Sequence, residues 1–456
     1  MDQKKPTRGR LGVAFVVLMV SIVMFADRNL FPVIASPLMK TMDISPAMIG
    51  WLFSTFSIVY VVCQIPGGLL LDKLGSRVTI TSCFVGLGVI NLFQGLATTF
   101  DGVLVVIGLF IFRALVAFME TPAIPSFTRV ITTWFPLREK GLAITATGSS
   151  QYIAAVGFVP FFAWYAGAIN YQSLFVLVGI LEIIAAFVFY RVSLPPAQHP
   201  WVNNAELDYI REGGALVDID KKQPESKKKK TSGNSKQVKA FLTHRITIGV
   251  FLSQYCFNCL SFFFLSWFPM YLMTERGIDI KATGLLVAIP AFCAFLGSIL
   301  AGASSDFLMR KTNSLNIARK MPIIVGMICS FSIIFCNYVD SIYLVIAFMS
   351  LSYFGKGCST LGWVILSDVA PKEIIGSAGG IFNALGNVST IVTPIVIGYI
   401  VTLTGSFTWA LIFVSAHAVL ALFSYIVIVG PLKRIEAASS EEEEQALVEQ
   451  PAVSSK

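Results

Sequence analysis

The sequence predicts an all-α membrane protein, with twelve transmembrane helices folded as two six-helix repeats inserted in parallel. Three observations predict it. Hydrophobic residues make up 55% of the 456 and charged residues only 13%, where soluble domains average roughly 25% charged. The mean hydropathy is +0.74. Twelve apolar stretches approach the about 20 residues that a spanning helix needs, and two loop motifs recur at a single spacing of 234 positions (306 − 72 and 372 − 138).

The predicted spans run 11–36, 47–71, 79–97, 103–131, 141–166 and 171–193, then 246–272, 283–305, 320–338, 341–366, 376–402 and 406–430. The first, preceded by Lys4, Lys5, Arg8 and Arg10, mimics a signal peptide. No small-residue cleavage site closes a short apolar core there, and the run continues past Asp27 and Arg28 to Ala35, so it reads as a spanning helix. Residues 194–245 carry Lys221, Lys222, Lys227 to Lys230, Lys236, Lys239 and Arg245 and form a polar connector with a short helix around Asn204 to Gly213. The predicted organisation is therefore a bundle over 1–193, the connector 194–245, a second bundle over 246–430, and a disordered acidic tail, 431–456, that includes Glu441 to Glu444.

A net charge of +8 is compatible with nucleic-acid binding, but the positive residues sit in short runs between apolar stretches. Even-numbered loops hold Lys73, Arg77, Arg138, Lys140, Arg310, Lys311, Arg319, Lys320 and Lys372, whereas odd-numbered loops hold Lys40, Arg276 and Lys281. Lysine and arginine favour the cytoplasmic side, so both termini and the connector are expected there. The eight cysteines lie within apolar stretches and read as small fillers. This includes Cys256 and Cys259, whose CxxC falls inside a hydrophobic helix. With no metal-ligand spacing, no phosphate-cradling glycine loop, and His199 and His244 both in the connector, the sequence gives no grounds for an enzyme, a metal or a cofactor.

The repeat is carried by Gly68-Leu-Leu-Leu-Asp72-Lys-Leu-Gly75-Ser-Arg77 after the second span and Gly302-Ala-Ser-Ser-Asp306-Phe-Leu-Met-Arg310-Lys311 after the eighth. Arg138-Glu139 and Lys372-Glu373 follow the fourth and tenth at the same offset. Each half has an even number of helices, so both insert in the same sense, as in secondary transporters whose substrate sits near mid-membrane between the halves. The glycines let helix ends approach closely. The acids can accept from helix N-termini or from basic residues across the gap. These residues are expected to latch one conformation.

Ionisable residues inside spans are expensive and usually functional. Here they are Asp27 and Arg28, Arg113 and Glu120, Glu182, and Lys356. Asp27 and Arg28 point about 100° apart and need different partners. Arg113 and Glu120 are nearly two turns apart and share a face. A crossed pairing is expected, Asp27 with Arg113 and Glu120 with Arg28; it lowers the cost of burial and leaves a carboxylate able to take a proton when its arginine is drawn elsewhere. A purely structural network is the alternative. Glu182 has no evident partner, and Arg129 reads as an anchor at the end of the fourth span. Pro122 and Pro125 are expected to kink that span just after Glu120. Lys356 lies between Gly355 and Gly357, with room for a ligand. Arg28 and Lys356, one from each half, suit a molecule with a carboxylate at each end. Tyr60, Gln64, Gln151, Gln254, Tyr255, Asn258, Trp363, Asn383 and Asn387 suit a polyhydroxylated ligand, though each alone also fits helix-packing glue.

The paired loops resemble the signature of the major facilitator superfamily over nearly the whole chain. Phe-Ala-Asp27-Arg28-Asn, Cys63-Gln64-Ile-Pro-Gly-Gly, Met-Glu120-Thr-Pro-Ala-Ile-Pro, Trp134-Phe-Pro and Ala205-Glu-Leu-Asp-Tyr-Ile-Arg211-Glu-Gly-Gly resemble its anion:cation symporter family. Leu315-Asn-Ile-Ala-Arg-Lys320, Phe354-Gly-Lys356-Gly, Asp368-Val-Ala-Pro-Lys-Glu373 and Phe382-Asn383 resemble the bacterial D-glucarate/galactarate transporters. The related galactonate transporters lack the lysine between the glycines. The resemblance implies proton symport of a sugar acid across the bacterial inner membrane by a functional monomer. It assigns proton coupling to Asp27 and Glu120, which the expected pairing with Asp27 extends to Arg113, and carboxylate binding to Arg28, and it puts Gln151, Trp363 and Asn383 at the substrate. The sequence departs from the family at Phe25, where a tyrosine is usual. A carrier of monoacids such as galactonate, or of aromatic acids, is the first alternative; a receptor or channel is the second.

Overall fold

A computed structural model describes residues 6–98, 103–215, 217, 234–371 and 374–435. Lys372, Glu373 and the tail from 436 lie outside the described residues. Among the described residues, eleven helices are long and apolar enough to cross a membrane. One of them, Pro46–Ala97, has 52 residues, about 78 Å if straight, against a hydrocarbon core of about 30 Å. It breaks at Gly75, whose φ of 77° and ψ of 165° lie outside the helical region and favour a residue without a side chain. Counted across that break there are twelve spans: α1 Gly9–Met42, α2 46–74, α3 76–97, α4 Leu104–Trp134, α5 Arg138–Ala168, α6 Gln172–Val192, α7 Arg245–Thr274, α8 Ile280–Thr312, α9 Leu315–Tyr338, α10 Ile342–Val369, α11 Ala378–Thr404 and α12 Thr408–Ile428.

Several spans are interrupted along their length; in α5 the helix stops at Gly148 and resumes at Ser150. The α-helix of α4 stops at Glu120 and resumes at Ala123, because Pro122 lacks the N–H that would continue the ladder. In α7 a π-turn, Phe263–Trp267, precedes Pro269. In α10 a 3-10 turn, Cys358–Thr360, follows directly after Gly357. These interruptions surround the cavity described below.

The halves meet through two equivalent contacts. The backbone of α2 at Gly50 lies against Pro394 and Gly398 of α11, and that of α8 at Gly284 lies against Pro160 and Ala163 of α5. The partners obey the repeat offset twice over (284 − 50 and 394 − 160, both 234). A side chain at either glycine would run into the facing backbone or side chain. Ser54 Oγ donates to Ile391 O at 2.8 Å and Ala47 N to Thr402 Oγ1 at 2.9 Å. Rings of Phe31, Phe53, Trp267 and Phe407 continue the seal, with centroids 5.7, 5.8 and 6.0 Å apart in turn. This closure lies on the side away from the connector. The face of α2 that touches α11 at Gly50 and Ser54 runs on through Val62 and Ile65, which are 67% and 78% exposed, so the halves part toward the connector.

The connector is tied to the first half. Glu206, fully buried, accepts from Thr7 Oγ1 at 2.6 Å, Gly9 N at 2.9 Å and Arg10 N at 3.1 Å. It thereby satisfies the open N–H groups of α1. Arg10 bridges Glu206 at 3.1 Å and Glu139 at 2.9 Å. Burial pushes the His199 imidazole below its ordinary range; its ring stands edge-on to Trp134 and Trp201.

Candidate functional site

Between the halves lies a cavity of about 110 Å³ lined by Phe25, Arg28 and Asn29 of α1, Gln151 and Tyr152 of α5, Ser261 and Leu265 of α7, Ala291 of α8, and Tyr353 and Lys356 of α10. Phe25 with Arg28 and Asn29, Ser261 with Leu265, and Tyr353 with Lys356 are separated by three- and four-residue steps, which is how a helix presents one face. Arg28, Gln151 and Lys356, all singled out from the sequence, share this space. Arg28 and Lys356 approach it from opposite halves. Asn29, Tyr152, Ser261 and Tyr353 were not singled out. Tyr353 had a signal, since it lies three residues before Lys356 and therefore on its face; its ring stacks on Phe264 at 4.1 Å.

Behind Arg28 sits a buried charge cluster within the first half. Arg28 is ion-paired with Glu120 through Nε and Oε2, as the crossed pairing predicts. Its guanidinium is packed among Phe25, Phe56 and Tyr60, at 5.3, 5.3 and 4.9 Å from the ring centroids, a cation–π setting. The second predicted pair does not form. Arg113 lies over the rings of Phe31 and Phe56 at 4.7 and 4.9 Å, and Asp27 Oδ1 instead accepts from Asn91 Nδ2 at 2.9 Å. The same amide nitrogen donates to Glu182 Oε2 at 2.9 Å. Asn91 reaches Asp27 with a short neutral side chain already held by α3, whereas Arg113 is held by the rings. Glu182, which the sequence left without a partner, is thus joined to Asp27 through a residue the sequence did not single out. Asp27 Oδ2, Glu120 Oε1 and Glu182 Oε1 are buried without a hydrogen-bond partner.

Other expected residues stand apart from the cavity. Tyr60 stacks on Phe56 and faces Arg28 from α2. Gln254 Nε2 donates weakly to Asn258 Oδ1 at 3.4 Å, and both pack against Gly386 of α11. Trp363, 45% exposed, meets Phe382 edge-on at 4.8 Å, and Asn383 follows it on α11, partly buried. The loop acids pair within their own halves: Asp72 with Arg129 at 2.9 Å, and Asp306 loosely with Arg319 at 4.0 Å, Arg319 being bound more closely to Asp368 at 2.9 Å. Arg77 donates to Tyr190 O at 2.7 Å rather than to a loop acid, Glu139 belongs to the connector clasp through Arg10, and Arg138 and Arg310 are exposed. Cys256 and Cys259 are buried free thiols.

The architecture has a clear counterpart among known proteins. The model of the Major Facilitator Superfamily matches residues 16–318 and again 251–455. The chain belongs to this superfamily. It is similar to the probable galactarate/D-glucarate transporter GudP of Escherichia coli (strain K12), at 44% identity over 95% of this chain and 96% of that protein. The GudP of Bacillus subtilis (strain 168) is 41% identical over 96% of both chains. A D-galactonate transporter of Escherichia coli O6:H1 is 36% identical over 95% of this chain and 99% of its own length. Among solved structures, a bacterial homolog of the human lysosomal transporter Spinster, in an inward-facing and occupied conformation, aligns with a TM-score of 0.70 at 16% identity, covering 92% of this chain and 96% of that one. A D-xylose-proton symporter aligns with a TM-score of 0.69 at 15% identity, covering 93% and 99%. The superfamily chain is a multi-pass membrane transporter and not an enzyme.

Proposed function

We propose that this transporter is a proton-coupled symporter that imports sugar acids, with the diacids galactarate and D-glucarate as its cargo. The observation that carries the reading is the pair of cations, Arg28 and Lys356, facing one cavity from opposite halves. A diacid satisfies both ends; a monoacid leaves one partly buried cation without an anion, which is unfavourable. The names of the relatives point to the same cargo. The galactonate transporter among them favours the monoacid reading as the alternative.

Coupling follows from the Arg28–Glu120 pair. A substrate carboxylate that takes Arg28 removes the cation from Glu120, whose second oxygen already has no partner. A buried carboxylate without compensation is neutralised by a proton. Substrate and proton therefore favour the same state, a linkage between two sites. Deprotonation restores the ion pair and releases the carboxylate. Asp27 offers the second proton position, and Arg113 balances the cluster. Gln151 and Tyr60 act beside Arg28, and Gln254, Asn258, Trp363 and Asn383 are the further substrate contacts. The bundles 1–193 and 246–430 rock about the site, joined by the connector 194–245 and followed by the tail 431–456. Asp72, Arg77, Arg138, Glu139, Asp306, Arg310, Lys372 and Glu373 latch the opposite state. Both termini face the cytoplasm of a bacterial inner membrane, and the working unit is a monomer.

The test is uptake of labelled D-glucarate into proteoliposomes. An imposed inward proton gradient should drive accumulation, roughly tenfold per pH unit for each proton carried without net charge, and a protonophore should abolish it. Uptake that only equilibrates, whatever the gradient, would reject coupling.

A further inference from the structure

We infer that Glu182 carries a resident proton that is not transported, balancing the buried cluster so that Asp27 and Glu120 are left as the exchanging carboxylates. The inference rests in part on the coupling reading above. It begins from a charge count. The interior of the first half brings together two guanidiniums, Arg28 and Arg113, and three carboxyls, Asp27, Glu120 and Glu182. Arg113 is 7% exposed, Asp27 4%, and Glu120 and Glu182 are fully buried. An uncompensated charge there is costly, and within this half the carboxyls outnumber the guanidiniums by one.

Geometry places a proton on Glu182. Glu120 has an ion pair with Arg28. Asp27 lies within the field of both Arg113 and Arg28. The charged groups that act on Glu182 are Asp27 from α1 and Glu120 from α4, both acidic. From α3 it receives a single N–H, from Asn91, whose other N–H goes to Asp27. One neutral amide cannot hold two carboxylates ionised side by side. With Oε2 accepting from Asn91, the proton sits on Oε1, which has no other partner. Asn91 is then a positioning residue: it fixes the neutral acid against Asp27.

The test combines infrared spectroscopy of the purified, liposome-reconstituted protein with the pH profile of substrate counterflow. At neutral pH the wild type should show a protonated-carboxyl C=O band. Glu182→Gln should remove that band and leave the counterflow midpoint where it was, because glutamine matches the neutral acid. Asn91→Ala should move the band to higher frequency by removing its hydrogen bond, which keeps the test usable if Glu182→Gln does not fold. A wild type without the band, or a band untouched by both substitutions, overturns the assignment. So does an acid shift of the Glu182→Gln midpoint by about one unit, the expected size of a lost like-charge interaction. The infrared result does not depend on whether transport is proton-driven, so it fails separately from the coupling reading.

Discussion

The two halves of this molecule share a backbone plan and divide the chemistry. At the repeat offset of 234, Asp27, Arg28, Arg113, Glu120 and Glu182 correspond to Ser261, Phe262, Ala347, Phe354 and Ala416. Every buried charge of the first half's cluster is replaced by a small or apolar residue in the second. In return Lys356, the interior cation of the second half, corresponds to Pro122, which breaks α4. What the halves keep in common is the hinge surface: Gly50 against Pro394, and Gly284 against Pro160. Duplication thus preserved the contact surface between the halves and let the two interiors diverge, one carrying the carboxyl–guanidinium cluster and the other Lys356.

The largest break in this division comes from Arg28, to which the proposed function gives both cargo binding and proton coupling. Arg28→Ala should remove uptake of diacids and monoacids alike. Truncating one member of a buried ion pair costs about 2–5 kcal/mol, or on the order of 30-fold to several thousandfold in affinity, read by competition binding. The shared hinge gives the next effect. Gly50→Leu and Gly284→Leu each overpack the closed face, at about 1–3 kcal/mol. Both should shift the protein toward opening on the side away from the connector, to a similar extent. Thiol labelling of a Tyr399→Cys reporter, at the mouth of that contact, checks it; equal damage supports the repeat, and damage from one alone breaks it. The loop acids should matter least for stability. Asp72 and Asp306 are exposed pairs, the second at 4.0 Å, and such pairs contribute about 0–1 kcal/mol. Asp72→Asn and Asp306→Asn should leave the thermal midpoint nearly unmoved, with Asp72 the larger of the two.

The sequence made much of this legible, for identifiable reasons. Spanning helices announce themselves by length and hydropathy, and Gly75 separates α2 from α3 although the helix-forming residues around it run on. Lys356 stands out because a cation between two glycines in an apolar run has few structural excuses. The Arg28–Glu120 pair followed from helical facing. Its companion did not, because facing says which residues share a stripe and not which reach each other first. Asn91 reached Asp27 ahead of Arg113. A lone amide in an apolar helix carries little signal, and its importance appears only when two acids from two other helices converge on it. The hinge glycines were present at the 234 offset, but single residues at one spacing carry no weight until their contacts are seen. The loop acids were expected to meet helix N-termini or basic residues across the gap, whereas here Asp72 and Asp306 each pair with an arginine of their own half, the arrangement of a molecule open toward the connector.

The central claim is that two cations, one from each half, read the two ends of a sugar diacid. The most direct measurement compares wild type and Lys356→Asn in proteoliposomes under the same inward proton gradient, with labelled D-glucarate and labelled galactonate. The account predicts that the variant loses glucarate uptake by about 10- to 100-fold, as expected for one charge-assisted contact of about 1.5–3 kcal/mol, while galactonate still accumulates. Glucarate uptake undiminished by the substitution, or robust wild-type uptake of galactonate with none of glucarate, would contradict it.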